Sequence, residues 1–395
     1  MTHKGQTLIQ THPLTGARKS NIDVILRAAL VRGYFNGLVV GLIENSRQHI
    51  FTYGADVNEH SIFEIGSITK LFTALALASM VHEGVVALDD PVRQFLLPEI
   101  VSGPLQPPEI TLLNLATHTS GLPRLPTNFA PYVRSNPYYH YRAENLYCWL
   151  ARRGLRNSRP PKYRYSNIGY ALLGHILSLC VGQPYAELIH MRILAPLGLS
   201  DTTLTLSPEQ QTRLAAGHTV TGKSAPNWRW NVCAPAGALY STASDMLHFL
   251  TAHLATNRIS RSMQTLDSKG SDIDAVPHDL ASAISLTIEP RVSAGRGHIG
   301  LGWHLKSGSE FCWHNGATGG YSSYISFSRK EQIGVVVVAN RFTPLTTRLG
   351  ICLEDLLTSG NANPLRLLLP QWIHKWVLKL RLLVNGTHRR NCRGC

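Results

Sequence analysis

FEIGSITKLFTALALASMVHEG, residues 63–84, reads as an apolar helix with a serine and a lysine at its entrance. Leu71, Leu75 and Ala78 repeat on one face, and Phe72, Ala76 and Ser79 lie beside them. A helix that is apolar nearly all round belongs inside a protein. Lys70 lies at the buried beginning of that helix, where an ammonium is costly unless something uses it. Ser67 and Lys70 are three residues apart and share a helix face, so the amine can reach the hydroxyl. A desolvated lysine loses its proton readily and can act as a base, or as a charge that stabilises an alkoxide. The helix N-terminus adds free N–H groups and a positive partial charge beside the hydroxyl. Together these make an activated nucleophile next to part of an oxyanion hole. The plainer reading makes Ser67 an N-cap and Lys70 a solvated charge. The apolar company both residues keep speaks against it.

Bulk properties fit a globular enzyme. The chain has 395 residues, 44% of them hydrophobic, enough for a sizeable core. The N-terminus lacks the apolar segment of a secretory signal. No apolar run is long and charge-free enough for a membrane span. These features predict a cytoplasmic protein, or a periplasmic one if the start is misassigned. Seven cysteines, an odd number, are mostly scattered among apolar neighbours and read as buried thiols in a reducing compartment. Cys392 and Cys395 have C-x-x-C spacing, but no second ligand pair accompanies them, and neither a metal nor a cofactor is expected.

The net charge of +14 is uneven. After residue 360 there are seven basic residues and no acid. There Trp372, Ile373, Trp376, Val377, Leu380, Leu383 and Val384 recur at helical spacing. Residues 361–395 therefore form a basic amphipathic extension, with 364–393 read as a packed extra helix, a helix on an anionic membrane surface or an unstructured tail. A second basic cluster runs from Arg152 to Arg164. Neither cluster carries a nucleic-acid motif, so a nucleic-acid partner is not expected.

Along the chain, residues 21–33 predict a helix, and FNGLVVGLIENSRQHIFTYGAD predicts two strands around a polar turn at 44–47. Helices follow at about 168–181 and 184–195. FCWHNGATGGYSSYISFSRKEQIGVVVVAN, residues 311–340, holds three strand-like runs, and 351–357 can form a helix. Residues 122–165 lack clear periodicity. Strands near both ends and helices between them predict an α+β protein. Its antiparallel sheet is built from both chain ends and flanked by helices, with a helical domain inserted. The expected boundaries are a tail at 1–20, a sheet domain from 21–66 plus 231–360, and a helical domain at 67–230. The active site is expected at the seam.

Two further stretches carry polar groups that acyl transfer needs: YRYSNIGY at 163–170 and WHNGATGGY at 313–321. Alone, Tyr165 and Asn167 read as a helix cap, and His314 as a satisfied strand histidine. In order with Ser67 and Lys70, the three boxes resemble the serine β-lactamase and D-Ala-D-Ala peptidase family, class C type, which includes related esterases. GVVALDDPVRQFLLPE, LATHTSGLP, APLGLSDTTL and PAGALYSTASDMLHFL resemble its connecting segments, and the likeness runs over about 22–357.

The resemblance implies a β-lactamase/transpeptidase-like fold and a role for each residue. Ser67 would be acylated, and Lys70 and Tyr165 would move its proton and protonate the leaving group. Asn167 would orient Lys70 and the substrate amide. His314 would occupy the position of the third-box lysine or histidine. Gly316 and its neighbouring glycines would let substrate lie against the strand edge, and the N–H groups of Ser67 and Ala317 would form the oxyanion hole. Asp245 is expected to cap a helix. The third box is His-Asn-Gly, not Lys-Thr-Gly, so a fixed cation for a substrate carboxylate is missing there. The expected substrate is a β-lactam, a D-Ala-D-Ala-type amide or a small ester. Alternatives are a cytosolic esterase, thioesterase or acyltransferase, and a penicillin-binding sensor that does not turn over.

Overall fold

The computed structural model describes residues 16–31, 33–54, 56–100, 109–129, 136–155, 162–262 and 276–360. The N-terminal part supplies two long strands, β1 (Gly37–Glu44) and β2 (Arg47–Gly54). Two short strands, β3 (Phe63–Glu64) and β4 (Tyr240–Ser241), pair with each other further along. The C-terminal part supplies β5 (Val292–Ala294), β6 (Gly297–Ile299), β7 (His304–Lys306), β8 (Phe311–Ala317), β9 (Ser322–Ser328) and β10 (Ile333–Ala339). All but β3 and β4 join one antiparallel sheet of eight strands in the order β2-β1-β10-β9-β8-β7-β6-β5. The two parts meet where β1 pairs with β10, Val40 opposite Val337. The β1–β2 turn uses Asn45 and Ser46, both with positive φ (50° and 69°), which matches the twist of a tight hairpin.

Consecutive apolar residues in β1 and β10 mean that both sheet faces are covered. Leu38, Val40, Leu42, Val335 and Val337 share a core with α1 (Gly16–Val31) and α10 (Leu345–Ser359). Val39, Ile43, Val336 and Val338 face the opposite way, into the main core. There α8 (Ala243–Ser262) covers the sheet, and α9 (His278–Thr287) packs on it and on α2 (Thr69–His82).

Helices α2, α3 (Leu112–Ala116), α4 (Ala143–Arg153), α5 (Asn167–Val181), α6 (Tyr185–Ile189) and α7 (Pro208–Thr212) lie between β3 and β4 in the chain. The β3–β4 pair ties the two ends of this insertion together.

Several features differ from the sequence reading. The first helix begins at Gly16, so residues 16–20, expected in a tail, are helical. Helix α4 falls within the stretch that showed no clear periodicity. The closing helix is 15 residues long and starts at Leu345. Cys233, Cys312 and Cys352 are buried thiols, but Cys148 is exposed. Asp245 does not cap α8: the Thr242 hydroxyl accepts from the Asp245 N–H. The Asp245 carboxylate instead accepts from the Asp201 N–H (2.9 Å) and the Thr202 hydroxyl (2.7 Å), fastening that segment to α8. The basic extension, 361–395, lies outside the described residues.

Candidate active site

Ser67 lies in a 3-10 turn, Gly66–Ile68, that runs directly into α2. Neither helix start has a side-chain cap, so Ser67 is not an N-cap. Two walls hold this turn. On one side, the Ser323 hydroxyl donates to the Ile65 carbonyl (2.8 Å), and β8 presses so close that a methyl on Gly316 would sit 2.0 Å from that oxygen. A methyl on Gly66, whose φ is +52°, would lie 2.6 Å from the Ala317 amide nitrogen. Glycine at both positions lets the end of β8 reach the serine turn. On the other side, the Leu239 N–H donates to the Thr69 hydroxyl (3.1 Å), and the Thr73 hydroxyl donates to the Pro235 carbonyl (2.8 Å).

Lys70 is fully buried. Its Nζ is 3.1 Å from Ser67 Oγ and donates to the Ala236 carbonyl at 2.6 Å. Burial pushes the amine well below the usual lysine range, and the positive charge of Arg124 pushes the same way. The neutral amine can keep one N–H on Ala236 and turn its lone pair to the Ser67 hydroxyl. The Tyr165 ring centroid is 5.0 Å from Lys70 Nζ, and its phenol faces Ser67. Burial pushes the phenol above the usual tyrosine range, so it stays protonated at neutral pH; the Ser67 hydroxyl and the Arg124 charge pull the other way.

Tyr165 precedes α5, and neither it nor Asn167 is the cap. The N-cap is Ser166, whose hydroxyl accepts from the Gly169 N–H. Asn167 opens the helix. Its side-chain amide donates to the Tyr138 hydroxyl (3.1 Å) rather than to Lys70, and its Oδ1 is buried with no protein partner among the described residues. His314, in β8, is buried with its ring centroid 6.4 Å from that of Tyr165, while its neighbour Trp313 packs on the opposite core. The Asn315 carbonyl lies 2.7 Å from His314 Nδ1. A carbonyl can only accept, so Nδ1 carries the proton and Nε2 presents a lone pair. Burial holds the ring neutral, well below the usual histidine range, and His304 and Lys70 push the same way. Among the described residues His314 Nε2 has no partner.

The structure thus brings Ser67, Lys70, Tyr165, Asn167, His314, Gly316 and Ala317 to one seam. It adds residues that the boxes did not name. The His118 ring centroid is 4.4 Å from that of Tyr165, and His118 Nδ1 accepts from the Ser166 N–H (3.1 Å), which leaves its Nε2–H as a buried donor. Burial, then Lys70, keep it neutral as well. Tyr138 stacks on Trp230 at 4.1 Å beside Asn167. Arg124 stands over Tyr165, 5.4 Å from the ring centroid. The only sequence signal for His118 and Arg124 was their place in LATHTSGLPR, around one quoted connecting segment. Among the described residues, no group of His, Cys, Asp and Glu side chains is arranged to hold a metal ion.

Comparison with known proteins follows the same lines. A family profile described as Beta-lactamase matches residues 22–350. The chain is 31% identical over 317 residues to the D-alanyl-D-alanine-carboxypeptidase/endopeptidase AmpH of Escherichia coli strain K12, covering 77% of each chain. It is 25% identical over 348 residues to a beta-lactamase of Pseudomonas fluorescens, covering 79% of this chain and 90% of that one. The class C beta lactamase structure from Rhodobacter sphaeroides superposes with a TM-score of 0.71 at 25% identity, over 86% of this chain and 98% of that one. A sheet built from both chain ends with helices inserted is therefore the class C β-lactamase architecture.

Proposed function

Because the chain belongs to the beta-lactamase family of serine hydrolases, we propose that it cleaves a D-Ala-D-Ala-type amide, a β-lactam or a small ester through an acyl-enzyme on Ser67. The observation that carries this reading is the buried Lys70 amine 3.1 Å from Ser67 Oγ. Lys70, kept neutral by burial, takes the serine proton as the oxygen attacks the substrate carbonyl. The developing oxyanion is held by the N–H groups of Ser67 and Ala317. Tyr165, kept protonated, hands its proton to the departing nitrogen or oxygen and is reprotonated from Lys70. Water then attacks the acyl-enzyme as the Lys70–Tyr165 pair takes its proton, and the pair passes that proton to Ser67 Oγ as the acid leaves. Asn167 Oδ1, buried and unpartnered among the described residues, accepts an N–H of an amide substrate.

The identity to a carboxypeptidase/endopeptidase supports the amide. The neutral third-box His314 supports an ester as the second reading, because it offers no cation to a substrate carboxylate. Intact-mass measurement after incubation with a fluorophosphonate and with a penicillin should show one adduct on the peptide containing Ser67. Labelling that persists in Ser67→Ala removes this mechanism.

A further inference from the structure

The third box leaves open how a substrate carboxylate would be read. We propose that Arg124 reads it, from the Asn167 and Tyr138 side of the serine, and that the enzyme prefers acyl groups ending in a carboxylate. This rests on the Ser67 reading above.

Four observations carry it. The Arg124 carbonyl accepts from the N–H groups of Asn167 (3.1 Å) and Ile168 (3.4 Å), so its backbone is pinned to the start of α5. Its guanidinium lies 5.4 Å from the Tyr165 ring, the same ring that Lys70 approaches to 5.0 Å. The face of an aromatic ring orients a guanidinium and leaves its N–H fork free for a planar anion. Next, Arg93, Arg192, Arg213 and Arg291 each hold a carboxylate, whereas Arg124 has none among the described residues. Last, the ionisable groups acting on Lys70, Tyr165, His118 and His314 are bases, phenols and one thiol, with no carboxylate among them. With Lys70, His118 and His314 neutral, Arg124 is the charged group among them, so an anion meets a positive charge here. Arg124 is solvent-exposed, so the attraction is screened by salt.

The test uses two esters of equal acyl chain length, the p-nitrophenyl monoester of glutaric acid and the p-nitrophenyl ester of pentanoic acid, at a pH above the acid limb of the rate profile. The readout is the ratio of kcat/KM, glutarate over pentanoate. Loss of a charged pair at an exposed site should lower that ratio about 3- to 5-fold in Arg124→Gln. Arg124→Lys should fall between, and added salt should compress the wild-type ratio. Arg47→Gln, an exposed charge on β2, should leave the ratio unchanged. Rates of acyl-enzyme formation by intact mass give the same comparison without turnover. A wild type that does not favour glutarate, or an Arg124→Gln variant with an unchanged ratio, overturns the proposal. Turnover that survives Ser67→Ala overturns the acyl-enzyme reading instead, whatever Arg124 does.

Discussion

Replacing Gly316 with alanine should uncouple β8 from the serine turn. An ideal Cβ there would lie 2.0 Å from the Ile65 carbonyl oxygen and 2.4 Å from Ser323 Oγ. Real Cβ atoms do not come within 3.0 Å of such atoms, so the Ile65 carbonyl must retreat by about 1 Å. Ile65 immediately precedes Gly66 and Ser67, and the 2.8 Å bond from Ser323 to that carbonyl goes with it. Ser67 then shifts by about 1 Å against the Ala317 N–H, and for a proposed nucleophile an error of that size costs about 100-fold in rate. The expected result is kcat/KM for p-nitrophenyl acetate down about 100-fold, mostly in kcat, in a protein whose circular dichroism is unchanged. Asn315→Ala is the control: that side chain bonds to Thr347, away from the serine, and should stay close to wild type. A folded Gly316→Ala protein with wild-type kcat refutes the argument that β8 and the serine turn are held at contact distance.

Lys70→Met should abolish turnover yet raise the melting temperature at pH 7, since it removes a buried amine. The sign with pH follows from the lowered folded pKa. Between that pKa and the ordinary 10.5 the unfolded chain binds more protons, so wild-type stability rises with pH. The gap between variant and wild type should therefore narrow as pH climbs toward 10.5, and a constant gap would contradict a depressed Lys70. His314→Gln keeps an acceptor without a titrating ring, so the acid limb of the rate profile for a neutral ester should not move; a displaced limb would mean that His314 is charged in the working enzyme. Asp245→Ala strands the Asp201 N–H, while the Thr202 hydroxyl keeps Ser241 Oγ at 2.8 Å, and urea unfolding should show a loss of about 1–3 kcal/mol.

The sequence was most legible where a single element carries the chemistry. Ser67 and Lys70 are neighbours on one helix face, and that helix is apolar enough to betray its burial. The long strands β1 and β10 announce themselves by apolar runs, β9 by Tyr324, Ile325 and Phe327 set among serines, and the Asn45–Ser46 turn by its polarity. Strands β5, β6 and β7 have three residues each, too few for any period to show. Helix α4 has a clear apolar stripe at Leu146, Trp149 and Leu150, but arginine, tyrosine and proline around it mask the pattern. The rest of the site was illegible for another reason. Arg124, Tyr138 and His118 come from separate loop positions, and only the fold places them beside Tyr165 and Asn167. The state of His314 was half legible. Its type excludes a fixed charge, but the proton on Nδ1 is set by the Asn315 carbonyl, which only the strand geometry supplies.

Unpaired polar atoms around the serine favour a peptide-like substrate over a plain ester. Among the described residues, His118 Nε2, Asn167 Oδ1, Trp228 Nε1 and His314 Nε2 are all buried without a hydrogen-bond partner. Each such group costs about 1–3 kcal/mol, so a fold tolerates a cluster only where something else satisfies it. Their polarities are fixed. His118 and Trp228 donate, because one has its Nδ1 occupied by the Ser166 N–H and the other is an indole. Asn167 Oδ1 and His314 Nε2 accept. Trp228 Nε1 stands beside the end of β8, so close that a methyl on Gly319 would sit 2.6 Å from it. Donors and acceptors therefore both occur unpaired around the site. A small ester has carbonyl and ether oxygens but no N–H, and it leaves both acceptors unsatisfied. A peptide presents N–H and C=O in alternation and can meet both kinds. N-methylating the amide next to the scissile bond of a D-Ala-D-Ala-type peptide should therefore lower kcat/KM about 10-fold or more, and Asn167→Ala should remove most of that discrimination. An enzyme that cleaves the methylated and unmethylated peptides equally well would show that these acceptors serve the fold and not the substrate.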